Sequence, residues 1–200
     1  MPLIRVFDLG NVLLFVKDAL FFERVRPRCR PGCRLDETFS EYYDRARIDR
    51  GGDFEALHEE LVRDLGLNMD CDELRDAWND IFAPNPPMLE VVRESPRPRY
   101  LLSNTNAPHV EWIRERYPEI FPLFDGCVLS NEVGVRKPDA AIYRHVESLS
   151  GEPAERHVFI DDVPEFVAGA RAVGWQAIQF QGVEDCLKRL AAMDGGAGQA

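Results

Sequence analysis

Leu3-Ile4-Arg5-Val6-Phe7-Asp8-Leu9-Gly10-Asn11-Val12 opens on a short apolar run and ends on an acid and a glycine turn. An apolar run of this length, closed by turn chemistry, reads as a buried strand over Leu3–Phe7. Four later segments have the same character: Arg99–Ser103, Gly126–Ser130, Arg156–Ile160 and Gln176–Phe180. Most lack strict alternation, as strands covered on both faces do. Helical patterns separate the last four, from about Pro108 to Arg116, Pro138 to Leu149 and Pro164 to Val173. Strand and helix alternating in this way predict an α/β fold, a Rossmann-like parallel sheet with helices on both faces.

Between the first strand and the second the character changes. From Val16 to Pro87 the chain carries charged amphipathic helical patterns and no convincing strand. Leu57 and Leu61 stand one helical turn apart, as do Trp78 and Phe82, so each pair reads as an apolar helix stripe. Pro84, Pro86 and Pro87 mark the exit. The reading is a core made of residues 1–15 and 88–193, a helical insertion over 16–87, and a Gly/Ala-rich disordered tail over 194–200.

Composition narrows the partners. The chain has 200 residues, 45% of them hydrophobic, with a formal net charge of −11. So acidic a surface repels phosphate backbones and anionic membranes, which argues against nucleic acid or lipid as the primary partner. An anionic small substrate would need local positive charge, and a divalent cation is one source. Five cysteines at scattered spacings form no disulfide framework and no zinc set. Without a secretory signal or a spanning apolar run, the chain reads as cytoplasmic. The oligomeric state is left open.

Four segments put polar residues on the turn after a strand, and the carboxyl ends of parallel strands are where ligands bind. Asp8 can point its carboxylate out of the sheet edge and attack phosphorus, although a turn-capping Asp would look the same. Ser103-Asn104-Thr105-Asn106 leads into a helix start, where a hydroxyl and fresh N–H groups can hold phosphoryl oxygens or simply cap. Lys137 precedes Pro138 at a helix start and can neutralise both a carboxylate and a phosphoryl group. Asp161 and Asp162 end an apolar strand, where adjacent acids need a positive partner, and magnesium suits such oxygen ligands.

In this order and placement the residues resemble the four signature motifs of the haloacid dehalogenase superfamily. Asp8-Leu9-Gly10-Asn11-Val12 looks like the first motif, Ser103 the second, Lys137-Pro138 the third and Asp161-Asp162 the fourth. The insertion looks like the small helical cap of subfamily-one members. Within the superfamily, the first motif and Ser103-Asn104-Thr105-Asn106 look most like bacterial phosphatases of the alpha-D-glucose-1-phosphate kind. The resemblance implies an Mg2+-dependent phosphatase acting on a small phosphorylated metabolite. Asp8 would be the nucleophile. The metal would be held by Asp8, the Gly10 carbonyl and Asp162, with Asp161 a ligand through water or a partner of Lys137. Ser103 and the Asn104 backbone would bind the phosphoryl oxygens, and Lys137 would balance charge. Arg50, in a cap turn, would be a specificity residue.

Two positions depart from that pattern. Gly10 stands where the commonest phosphatases carry a second Asp as general acid and base, a function typically worth ~10²–10⁴-fold. Its absence points to leaving oxygens that are relatively acidic, such as those of anomeric sugar phosphates. Phe166 stands where many relatives place an Asn. His109 and His145 are the candidate replacement acids, and each also fits as a core or surface histidine. The run Arg24, Arg26, Arg28, Arg30 and Arg34 reads as a solvated face or an anion lure. Three other functions fit parts of the pattern: a 2-haloacid dehalogenase, which needs no metal, a non-catalytic binding relative, and a phosphotransferase. The pair Asp161-Asp162 argues for metal and phosphate.

Overall fold

The computed structural model describes residues 3–196. Five strands form one parallel sheet: β1 (Ile4–Phe7), β4 (Arg99–Ser103), β5 (Gly126–Leu129), β6 (His157–Asp161) and β7 (Gln176–Gln179), in the order β5-β4-β1-β6-β7. Alternate residues serve opposite faces, as the pleat requires. Phe7, Leu101, Val158, Ile160 and Ile178 face one apolar cluster, whereas Val6, Tyr100, Leu102, Phe159 and Ala177 face the other. Helices α5 (Pro86–Glu94), α6 (Ala107–Arg116) and α10 (Val183–Gly196) cover the first face, and α8 (Ala140–Ser150) and α9 (Pro164–Ala172) the second. A one-turn helix, α7 (Ser130–Val133), follows β5.

Residues 18–79 supply four helices around their own apolar cluster: α1 (Asp18–Val25), α2 (Leu35–Ala46), α3 (Phe54–Leu65) and α4 (Cys71–Asn79). Trp78 is its centre, with ring contacts to Phe21, Phe39, Tyr43 and Phe54. The sequence marks their ends. Asp70 and Glu73 make a reciprocal capping box at α4, and Gly66 takes the left-handed conformation that closes α3. Arg24, Arg26, Arg28 and Arg34 pair with Asp80, Asp36, Glu73 and Glu37, so this run is a solvated, paired face.

The insertion is not purely helical. β2 (Leu14–Val16) pairs antiparallel with β3 (Phe82–Pro84), and Asn85 Nδ2 donates to the Val12 carbonyl at 2.9 Å, so the two connecting strands are stitched together. Phe82 is therefore in a strand, and α4 ends at Asn79 rather than carrying a Trp78/Phe82 stripe. Pro138 also falls outside its predicted helix, which begins at Ala140 behind the Asp139 cap. At the other end α10 runs to Gly196, past the expected tail start at Asp194, whose carboxylate accepts from Arg5 at 2.6 Å. Residues 197–200 of that expected tail lie outside the described residues. Among the described residues, no helix is long and apolar enough to cross a membrane.

Candidate active site

The sheet order reverses direction at β1, which has β4 on one side and β6 on the other, so a crevice opens beyond their carboxyl ends. Register decides what stands there. Phe7 pairs with Leu101 and with Ile160, so one residue further Asp8, Leu102 and Asp161 are level. Lys137 reaches all three. Its Nζ donates to Asp8 Oδ1 at 2.6 Å, Asp161 Oδ2 at 2.7 Å and the Leu102 carbonyl at 3.2 Å. The ammonium is 1% exposed and has a partner for each of its three hydrogens.

This ammonium is shared by two carboxylates, and the charge does not close. Asp8 is pushed up to about 7, by burial first and by the Asp161 charge, against the pull of Lys137. Burial would lower the Lys137 pKa, but the two acids outweigh it and the net shift is upward. Asp162 is also raised, by partial burial and by Asp161. Oxygens of Asp8, Asp161 and Asp162 lie within 4.8 Å of one another. A hard divalent cation fits this donor set, because it would supply the positive charge that one lysine leaves short. Asp161 is the least available of the three. It is fully buried, with Oδ2 on Lys137 and Oδ1 accepting from the Val163 N–H at 2.8 Å. Both of its oxygens are thus engaged within the protein. Asn11, at φ +52°, accepts from the Val16 N–H through its side chain at 3.1 Å and also hydrogen-bonds Asp162.

Ser103 ends β4 beside Asp8, and its hydroxyl makes only a long 3.5 Å contact with the Asn104 carbonyl. The Asn104 side chain is occupied. Nδ2 donates to the Lys137 carbonyl at 3.0 Å and Oδ1 accepts the Lys137 N–H at 2.8 Å, which fixes the lysine loop. Phe166 has a definite place: its ring lies under Lys137, with Nζ 4.9 Å from the centroid, and Phe159 adds a second ring at 5.1 Å. Gly169 lets α9 approach closely, since a Cβ there would meet Tyr143 Oη at 2.8 Å and Pro138 Cβ at 2.9 Å.

A cavity of about 220 Å³ opens beside Gly10, Ser103 and Asn104 and runs under α4. Its far wall holds a seam that sequence reasoning missed. Asn106 caps α6 by accepting the His109 N–H at 3.0 Å, and its Oδ1 also accepts from Trp78 Nε1 at 3.3 Å. Asn106 Nδ2 donates to His109 Nδ1 at 3.0 Å, and His109 Nε2 donates to the Trp78 carbonyl at 3.1 Å. Both ring nitrogens are used, and burial drives the His109 pKa down to about 3, so the ring is neutral. The capping signal was visible in sequence; its partner Trp78 lies 28 residues away. His145 is exposed on α8. Arg50 lines a different, polar cavity with Arg47 and Arg136, which shares no lining residue with the one beside Ser103. There Arg136 joins α2 and its following turn to the core, pairing with Asp49 at 2.7 Å and Asp44 at 3.2 Å.

Known proteins place the chain in a family. The chain is 40% identical over 173 residues to the sesquiterpene phosphatase astK of Aspergillus oryzae, covering 84% of this chain and 85% of that protein. A shorter match, 33% over 91 residues, is to the drimenol cyclase drtB of Aspergillus calidoustus, covering 46% of this chain and 17% of that protein. The fold superposes on the bt-2542 enzyme of Bacteroides thetaiotaomicron, solved as a magnesium complex, with TM-score 0.83 at 21% identity over 94% of this chain and 98% of that one. It also superposes on the L-2-haloacid dehalogenase of Xanthobacter autotrophicus, with TM-score 0.64 at 21% identity over 96% and 83%. The model of the haloacid dehalogenase-like hydrolases matches residues 6–174, and the chain belongs to that family.

Proposed function

We propose that this hydrolase is an Mg2+-dependent phosphomonoesterase that works through an aspartyl phosphate on Asp8. The observation that carries the reading is the buried cluster in which Asp8, Asp161 and Asp162 converge around a single ammonium. Such a centre is short of positive charge until a cation binds. The phosphatase relative supports the same class of reaction.

Lys137 occupies Asp8 Oδ1, so attack on phosphorus falls to Oδ2. The P–O bond to the leaving group breaks as the new O–P bond forms, and the departing oxygen takes its proton from solvent, because Gly10 has no side chain to give one. Water then attacks the aspartyl phosphorus, releases inorganic phosphate and restores the carboxylate. Lys137 and the Ser103 hydroxyl balance and orient the phosphoryl oxygens. Asp161 positions Lys137. Asp162 and the Gly10 carbonyl, with Asp8, would hold the metal. Magnesium, when bound, supplies charge that keeps Asp8 ionised and neutralises the transferring group. A dehalogenase fits less well, because its chemistry needs no metal and gives no reason to keep both Asp161 and Asp162 beside Asp8.

The test is phosphate release from a panel of phosphomonoesters, with magnesium and with chelator, for wild type and Asp8→Asn. Release should need both magnesium and Asp8, falling by several orders of magnitude without the nucleophile. Release that survives both chelator and Asp8→Asn would overturn the reading.

A further inference from the structure

The cavity beside Ser103 has a neighbour among the inserted helices. A second cavity of about 300 Å³, within the range of small-molecule sites, shares Asp18, Tyr43, Trp78 and Ile81 with it and lies between α1, α2 and α4. Its walls are Phe21, Phe22, Phe39, Tyr43, Trp78 and Ile81. No lysine or arginine lines either cavity. Away from Ser103 and Asn104, the side chains of the first cavity's far wall have partners within the protein: Asn106, His109 and the Trp78 N–H bond one another, and the Tyr43 hydroxyl bonds Asn106. The acids are Asp18, exposed at the rim, and Asp36, paired with Arg26.

Resting on the phosphomonoesterase reading, we propose that this pouch is the subsite for the leaving group and that the substrate is the monophosphate of an apolar alcohol. A sugar placed here would bury hydroxyls among rings, facing donors and acceptors that already have partners, at a cost for each unpaired group. A second anionic group would meet Asp18 and no cation. A hydrocarbon tail meets neither penalty and removes aromatic surface from water. The two cavities share one wall, so a phosphoryl group at Asp8 and a tail in the pouch can belong to one molecule.

The experiment uses n-alkyl monophosphates of increasing length, whose leaving oxygens are nearly alike, together with glucose 1-phosphate and glucose 6-phosphate. In parallel, n-alkylphosphonates, which are not hydrolysed, are titrated for Kd in the presence of magnesium. Both kcat/KM and 1/Kd should rise about 3- to 4-fold per methylene until the pouch is full, the factor that ~0.8 kcal/mol per buried CH₂ implies. Ser40→Trp, placed at the exposed mouth of the pouch, should lower the long-chain to short-chain ratio at least tenfold. A phosphonate Kd that is flat with chain length, or sugar phosphates preferred over every alkyl ester, would overturn the proposal. A steep phosphonate series with no turnover of any ester would sustain the pouch and sink the phosphatase.

Discussion

Acidification should loosen the seam at His109 by an amount that can be worked out. The ring is buried, accepts at Nδ1 from Asn106 and donates at Nε2 to the Trp78 carbonyl, and it stacks on Trp78 with centroids 4.8 Å apart. A proton on Nδ1 turns an acceptor into a donor facing an amide N–H. Asn106 could answer only by turning over, which would give up the bonds its Oδ1 takes from Trp78 and the His109 N–H. The folded pKa is accordingly held down to about 3, against 6.5 for an ordinary histidine. Above the ordinary value both folded and unfolded forms are neutral and the seam contributes fully. As pH falls below 6.5 the unfolded chain takes up the proton first, and stability is lost at about 1.4 kcal/mol per unit until the folded pKa is reached. At about pH 5 the loss is about 2 kcal/mol. The assay is urea unfolding of wild type and His109→Gln at about pH 7.5 and about pH 5. Titrations shared by the two proteins cancel in the difference, which should shrink by about 2 kcal/mol on acidification. Parallel stabilities, or a His109 imidazole that titrates near its ordinary value in the folded protein, would refute the reasoning.

Lys137→Met keeps the bulk of the side chain but leaves Asp8 and Asp161 buried without a counter-charge, at about 3–5 kcal/mol near neutral pH. The deficit should narrow in acid as the Asp8 carboxyl, raised to about 7 in the folded protein, neutralises, and a variant as stable as wild type by urea unfolding would show that the acids have another partner. Gly169→Ala drives a methyl against Tyr143 Oη and Pro138 Cβ and should cost about 1–3 kcal/mol while lowering hydrolysis, because Pro138 carries Lys137. An unchanged melting temperature and rate would mean that α9 moves aside freely.

The sheet was legible because a two-faced strand writes itself locally. Arg99–Ser103 has the bounds its apolar run predicts, three other strands are one residue shorter at one end, and β6 is shifted by one residue at both ends. The placement of the candidate residues was legible for a related reason: strand ends of a parallel sheet lie on one edge, so they bring Asp8, Ser103 and Asp161 together. What escaped depends on contacts that no local window contains. β2 and β3 are three residues each and exist only because Leu14 meets Pro84. The Asn104 side chain looked like a capping group, yet it clamps the Lys137 backbone 33 residues away. Arg50 sits in a glycine turn whose direction the sequence does not set, and the turn carries it into the polar cavity with Arg136.

The two departures from the family pattern differ in physical status. At 166 a polar group has been exchanged for a ring, and that ring meets Lys137 at 4.9 Å, so the lysine keeps a favourable neighbour. At Gly10 nothing described takes over. His109 has both nitrogens engaged, and Asp161 has both oxygens engaged. The site thus keeps its lysine in place, stays short of positive charge, and has no described group free to give a proton. Binding of an apolar tail cannot replace that donor, because uniform binding lowers KM without raising kcat. It can, however, hold the ester still in front of Asp8, and orientation does lower the barrier when the reacting atoms are kept in line. On the proposed reading, a pouch next to a site without an acid would contribute affinity and alignment through the alcohol, while charge compensation would fall to Lys137 and a bound cation.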